Sequence, residues 1–298
     1  MKIKSISRRS ASCKVYNIRC GPDHTYFANN VLVHNCDVPN IKFGGNATFE
    51  DLKNQLYSAR RLFPGTKYTE RLNIHFARMG DPIFNSAVFE FSRWLAENKK
   101  TVQDELDLRI EVIHPVLTTS LPRKFTKLTS RIQEWCEIKN DLFNGQAGLQ
   151  FSINSTSEEQ RSEMFRGDQT TLDEFAVIAS TLPEPVGRKY CLNFAYSTDF
   201  EIDAKKVSRM FDKDKFMIKI TPIHNNNACR ENEIETSEGY ASWKPYSKPE
   251  EDLKSEGWDV LVFVPSMDEE DGLVTCGNAV LGGGEVTAPE MINITGES

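Results

Sequence analysis

The chain has 298 residues, 39% of them apolar, enough to bury a sizeable core, and a net charge of −7. No apolar run reaches the roughly 18–20 residues of a membrane span, and the basic start lacks the apolar stretch of a signal peptide, so a soluble cytoplasmic protein with no membrane partner is expected. The cysteines (Cys13, Cys20, Cys36, Cys136, Cys191, Cys229 and Cys276) are odd in number and follow no disulfide-framework spacing. In a reducing compartment such residues serve as core side chains, ligands or nucleophiles.

Charge is divided unevenly. Residues 1–35 carry Lys2, Lys4, Arg8, Arg9, Lys14 and Arg19 against Asp23 alone, a net +5 that leaves −12 on residues 36–298. A break of that size argues for two physical units. A basic head suits nucleic acid or an acidic protein partner equally.

In chain order, Lys14-Val15-Tyr16-Asn17-Ile18-Arg19-Cys20 is β-rich and Gly21-Pro22-Asp23 signals a turn. Thr25-Tyr26-Phe27-Ala28 reads as a second strand, and the apolar run Val31-Leu32-Val33 follows Asn29-Asn30. This is a small β-meander, too small to bury a core alone. It needs a partner to fold on.

Val15–Ile18, Asp23-His24-Thr25-Tyr26-Phe27-Ala28-Asn29 and Val31-Leu32-Val33-His34-Asn35-Cys36 resemble the last two blocks of inteins, in order and in spacing. The resemblance covers residues 14–36 and implies a Hint-type fragment over residues 1–35. The chemistry accounts for the residue types. The Asn35 side-chain nitrogen attacks its own carbonyl carbon, closing a succinimide and breaking the bond to Cys36. His34 polarises that carbonyl or protonates the leaving amine, and His24 is a second general acid or base. The Cys36 thiol accepts the upstream segment as a thioester, and an S-to-N shift then makes the new peptide bond. An aspartate is common in the family where Asn17 stands. The N-terminal intein half is expected on a separate, acidic partner; the competing expectation is a gene read from an internal Met of a longer precursor.

After Cys36, strands alternate with helical stretches. Strands are predicted at 72–77, 109–113, 148–153, 190–196, 216–220 and 258–264, with helices near 84–98, 122–139, 157–182 and 203–212. Strands separated by helices of this length indicate parallel βα units, hence an α/β sheet or partial barrel whose chemistry sits on loops after the strand ends. Polar motifs fall there: Met79-Gly80-Asp81-Pro82, Thr118-Thr119-Ser120, Asn154-Ser155 and His224-Asn225-Asn226-Asn227.

In order and placement these motifs resemble the radical S-adenosylmethionine (SAM) superfamily, and within it the RNA adenine-C2 methyltransferases. Gly80-Asp81-Pro82 matches that family's Gly-Glu-Pro with a shorter carboxylate, and Thr118-Thr119-Ser120 its Ser-Thr-Ser. Ser152 matches a serine ending the fourth strand. Pro222-Ile223-His224-Asn225 matches a Pro-x-Asn with histidine at the asparagine position, and Glu270-Asp271-Gly272-Leu273-Val274-Thr275-Cys276-Gly277 matches an acidic pair before Cys-Gly. The resemblance runs from residue 36 to about 284, with a tail at 285–298. It implies that Gly80, Asp81, Ser120, Ser152 and His224 or Asn225 hold SAM. It also implies that Cys276 carries a methyl or methylene group to the substrate.

The same resemblance implies a four-iron–four-sulfur cluster held by Cys-x3-Cys-x2-Cys, with Cys36 as its third ligand and the first two on the upstream polypeptide. Cys36 would act twice, as splicing nucleophile and then as metal ligand. The expected whole is a partial (β/α) radical SAM-type barrel preceded by an all-β intein fragment, with RNA as the candidate substrate. The −12 balance is a poor electrostatic match to RNA. A peptide or small-metabolite substrate, and an unspliced inactive fragment, therefore stand as alternatives.

Overall fold

A computed structural model of the chain describes residues 27–28, 31–32, 46–62, 64–76, 80–165, 167–222 and 246–264. Within the first 35 residues it describes two short strands, β1 (Phe27–Ala28) and β2 (Val31–Leu32). They pair antiparallel, Phe27 with Leu32 and Ala28 with Val31, in line with the predicted second strand and apolar run. The rest of the meander lies outside the described residues.

The main body is a six-stranded parallel sheet in the order β3 (Tyr68–Phe76), β4 (Arg109–Thr119), β5 (Gly148–Ser152), β6 (Tyr190–Tyr196), β7 (Phe216–Pro222), β8 (Val260–Val262). Each strand pairs in parallel with the next in sequence. Parallel crossovers share one hand, so an unreversed strand order puts the connecting helices on one face and curls the sheet into a half-barrel.

Those helices are α1 (Phe49–Leu62), α2 (Ser86–Glu97), α3 (Lys99–Leu106), α4 (Leu128–Glu137), α5 (Glu158–Met164), α6 (Leu172–Thr181), α7 (Ala204–Met210) and α8 (Ser247–Ser255). Side-chain caps fix the starts of α2, α5, α6 and α7. The Asn85 side chain accepts from Ala87 N at the head of α2, and Thr171 and Glu174 form a reciprocal capping box on α6.

Three of these helices were not predicted: α1, α3 and α8. Each is mostly polar, so the apolar period is thin; among its described side chains α1 buries Leu52, Gln55 and Leu56. The helices predicted between 157 and 182 are two, separated between Met164 and Leu172. Strand β4 runs six residues beyond the predicted end at Ile113, through Pro115. Proline is normally excluded from a central strand because it lacks an N–H. Here it lies one residue before the β4–β5 ladder begins at Val116, where one flank of the strand has no partner.

The helix-facing side of the sheet is apolar and buried: Ile74, Phe76, Leu117, Leu149, Phe151, Leu192, Phe194, Ile218 and Ile220 are each at most 2% exposed. Aromatic rings knit it to the helices. Trp135 of α4 meets Phe76 at 6.0 Å and Phe89 at 5.7 Å, both edge-on, and its indole N–H donates to the Gly148 carbonyl at 2.9 Å. Phe151 meets Phe175 of α6 at 4.7 Å.

At the end where the strands start, two loops cross in near-contact. A Cβ on Gly145 would stand 2.0 Å from the Val186 carbonyl oxygen, and both Gly145 and Gly187 have positive φ. The buried Lys139 bridges the same loops, its Nζ donating to the Val186 carbonyl at 2.7 Å, and burial pulls its ammonium down to about 8.

Trp135→Ala is expected to destabilise the fold by about 3–5 kcal/mol, the cost of an emptied aromatic site plus an orphaned Gly148 carbonyl. A fall in the urea midpoint with an unchanged slope would show it. A shift under about 1 kcal/mol would mean this ring is not central to the core.

Candidate functional site

The sheet's other face is different. Parallel sheets are usually apolar on both sides. Register places Asn73, His114 and their neighbours in strand-to-strand rows on the inner face, opposite the buried apolar set. The inner positions toward the strand ends are polar and only partly buried: Thr118, Gln150, Ser152, Asn193 and Lys219. In a closed barrel this space would be filled with branched aliphatics. Here it is a polar wall leading to the C-terminal mouth.

Three successive loops build that mouth, each turning on a left-handed residue just past its strand: Gly80 at φ 76°, Leu121 at φ 60° and Asn154 at φ 64°. Leu121 is fully buried, so its strain is held by packing. Its N–H donates to Thr119 Oγ1 at 3.1 Å, and its carbonyl accepts from Thr170 N at 2.8 Å. The Asn154 side chain accepts from Ala195 N at 3.1 Å, tying the loop after β5 to β6.

Asp81 joins the first two loops. Its Oδ2 accepts from Ser120 N at 2.6 Å, Ser120 Oγ at 2.8 Å and Thr119 Oγ1 at 2.9 Å; its Oδ1 accepts from Ile83 N at 3.0 Å and caps a short 3₁₀ turn over Pro82–Phe84. Burial lifts the carboxyl above the usual aspartate range, and the hydrogen bonds from Ser120, Ile83 and Thr119 pull it back down. Two motifs singled out from sequence thus touch directly, across 39 residues of chain. Thr118 and Thr119 end β4 itself, and Ser120 begins the loop.

Ser152 ends β5 beside this clamp. Its carbonyl accepts from Gln169 Nε2 at 2.7 Å, and it stands in register with Asn193 of β6. Gln169 Oε1 and Asn193 Oδ1 are buried acceptors with no donor among the described residues. Each costs about 1–3 kcal/mol unless a donor reaches it. The loop behind them is held by Arg161, 1% exposed, which donates to the Ile153 carbonyl at 2.8 Å and the Thr170 carbonyl at 2.7 Å.

Gly80, Asp81, Ser120 and Ser152 therefore lie at three neighbouring strand ends of one mouth. His24, His34, Asn35, Cys36, His224, Asn225 and Cys276 lie outside the described residues. No three His, Cys, Asp or Glu side chains gather as a metal site among the described residues. Sequence reasoning missed Gln150, Gln169, Asn193 and Lys219. For Gln150, Asn193 and Lys219 the signal was a single polar residue between two apolar ones within a strand; Gln169 lies in a loop and had none.

Deeper on the inner face, His114 is 6% exposed and its Nδ1 bonds the Gln146 carbonyl, so Nδ1 carries the proton and Nε2 is an acceptor. Burial, with help from Arg188 and Arg71 and against the Gln146 bond, pushes its pKa down to about 4. Because the folded pKa is depressed, the neutral ring's contribution is complete above the unfolded value near 6.5 and is lost as pH falls toward 4. We expect stability to fall by roughly 2–3 kcal/mol across that window, and His114→Gln to flatten the slope, measured by urea unfolding at stepped pH. An equal slope in both proteins would contradict the assignment.

No protein-family model matches the chain, and no curated protein matches it. Among solved structures it is similar to CpGH84B, at 12% identity over 89% of this chain and 50% of that one, with a TM-score of 0.36. It is also similar to the malate synthase of Haloferax volcanii with magnesium and glyoxylate, at 10% identity over 84% of this chain and 64% of that one, with a TM-score of 0.29. The chain thus spans about half the length of the first and under two thirds of the second, and likenesses this distant carry no argument about function.

Proposed function

We propose that residues 1–35 are the C-terminal part of an intein and that residues 36–298 are the C-terminal part of a radical SAM enzyme that methylates RNA. The observation that supports the second half most directly is the Asp81 clamp on Thr119 and Ser120 at the strand-end mouth. It brings together, on adjacent loops, the residues whose motifs carry the resemblance.

The residues present fit SAM. A carboxylate offers about four lone-pair positions. Counted per oxygen, with two lone pairs each, Oδ2 is fully used by its three donors, and Oδ1, which accepts only from Ile83 N, keeps one position for an ammonium group. The orphaned Gln169 Oε1 and Asn193 Oδ1 beside Ser152 call for N–H or O–H donors, which SAM has at its amine, ribose and adenine. Gly80, Asp81, Ser120 and Ser152 would hold the cofactor, joined by His224 or Asn225. When bound beside a reduced iron–sulfur cluster, SAM supplies the methyl group and the initiating radical. The chain's own contribution is to fix the ammonium end at Asp81 and to orient the rest against the polar inner wall. Cys276 would carry the one-carbon group to the substrate.

Cys36 links the two halves. A thiolate required by the cluster satisfies an intein that requires a cysteine at the same place. Before splicing, this chain would offer one of three cluster ligands and stay inactive. The competing substrate class is a peptide or small metabolite, favoured by the −12 charge of residues 36–298.

Two measurements bear on these readings. Trypsin cuts after Arg19 and Lys42, so unspliced chain gives one peptide from Cys20 to Lys42. In its native source the protein is expected to give instead a peptide joining upstream residues directly to Cys36, and Asn35→Ala to restore the 20–42 peptide. An Asn35→Ala chain that still begins at Cys36 would rule out cyclisation at this asparagine. For the enzyme half, Asp81→Asn keeps the shape and removes the charge, so SAM affinity of the spliced protein should drop about ten- to a hundredfold. Equilibrium dialysis on variant checked by circular dichroism reads this directly, and an unchanged affinity would remove Asp81 from the cofactor site.

A further inference from the structure

The inner face of the half-barrel has a charge pattern that neither the cofactor residues nor the splicing residues use. Across the paired positions of β3 to β8 it carries Arg71, His75, His114 and Lys219 and no aspartate or glutamate. Residues 36–298 as a whole hold an excess of twelve negative charges. Excluding every acid from one face of so acidic a body makes that face a sink for anions.

The positive charge is concentrated. Arg71 lies on the inner side of β3, in register with Val112 and two residues before the Asn73–His114 pair. Arg188 precedes β6, its N–H bonded to the Gly145 carbonyl at 3.3 Å, on the same side as His114, which is anchored at the neighbouring Gln146. Each guanidinium disfavours charge nearby: Arg71 opposes that of Arg188, and both oppose a proton on His114. Both side chains are exposed, and among the described residues neither forms an ion pair or side-chain hydrogen bond. By contrast, nearby Lys189 is neutralised by Asp259 at 2.6 Å. Two guanidiniums without a carboxylate partner, both near one neutral imidazole, concentrate positive charge where an anion could compensate it.

We propose that Arg71 and Arg188 form a binding site for a phosphate monoester group on the inner face of the half-barrel. The charge count selects the ligand class. Two guanidiniums match a phosphate monoester, which carries about −1.5 to −2 near neutral pH, better than a carboxylate or a single phosphodiester. Planar forks match its oxygens bidentately. The site lies toward the strand starts, below the Asp81 mouth, and stands whether or not that mouth binds SAM. If both readings hold, a phosphorylated ligand enters with its anionic end deep and its far end under the mouth.

The test uses the full chain at low salt without SAM. Imidazole signals are followed by NMR, the His114 signal being identified by its loss in His114→Gln. Inorganic phosphate should shift the His114 signal saturably and raise its pKa, because a bound anion offsets the repulsion of Arg71 and Arg188. Acetate should bind more than tenfold more weakly. The double variant Arg71→Ala/Arg188→Ala should keep the melting midpoint and lose the phosphate response at least tenfold. Arg71→Lys/Arg188→Lys, with the charge kept and the forks removed, should fall between. No saturable shift with phosphate, an equal response in the alanine double variant, or equal binding of acetate would each overturn the proposal. Adenosine 5′-monophosphate and an unphosphorylated oligoribonucleotide distinguish the source: the first should compete with phosphate. Competition by the second alone would assign the arginines to a nucleic-acid backbone and overturn the monoester site.

Discussion

One-handed crossover is the constraint from which the rest follows. Because each strand from β3 to β8 pairs with its successor, the connecting helices fall on the same side, and that side absorbs the chain's buried aliphatics and aromatics. The opposite side is relieved of a packing role. Its alternate positions are therefore open to Asn73, Gln150, Ser152, Asn193 and Lys219, residues that a sheet covered on both faces would reject. Site and core are two faces of the same strands, offset by one residue.

The division shows in how stability and strain are distributed. The covered face rests on edge-to-face rings around Trp135 and Phe151, which tolerate little change in volume. The mouth rests on polar groups that each serve two loops at once: Asp81 for the loops after β3 and β4, Arg161 for the turn after β5 and the segment before α6, Asn154 for β5 and β6. Left-handed Leu121 and Asn154 persist because these bonds over-determine their backbones. A mouth so fixed is preorganised, which lowers the entropy lost when a ligand arrives.

Much of the frame was legible in sequence, for physical reasons. Strands β5, β6 and β7 announce themselves as short β-branched or aromatic runs between turn residues, and Gly80-Asp81-Pro82 as a capped turn. The end of β4 was hidden because Pro115 reads as a strand breaker, and only the register with β5 shows why it is tolerated. Helix α1 was missed although Thr48 and Asp51 form a reciprocal cap at its start; Thr48 N donates to Asp51 Oδ2 at 2.9 Å, and Asp51 N donates to Thr48 Oγ1 at 3.2 Å. The inner wall went unread because each strand offers only one such residue, and that they share one wall shows only when the strands align. Gln150 means little until Ser152 and Asn193 stand beside each other. The Arg71–Arg188 encounter joins residues 117 positions apart and has no local signature at all.

The glycine crossing at the strand starts carries a consequence for how the molecule breathes. With Gly145 and Gly187 in backbone contact and Lys139 pinned to Val186, no water layer separates the loops around residues 143–147 and 183–188. Neither loop can lift without the other. In terms of amide exchange the two belong to one cooperative opening unit, so their protons would trade with solvent together and late. The mouth is tied by separate bonds, from Thr119 and Ser120 to Asp81, so it need not open with that base. Base and mouth would then exchange with solvent as two separate units.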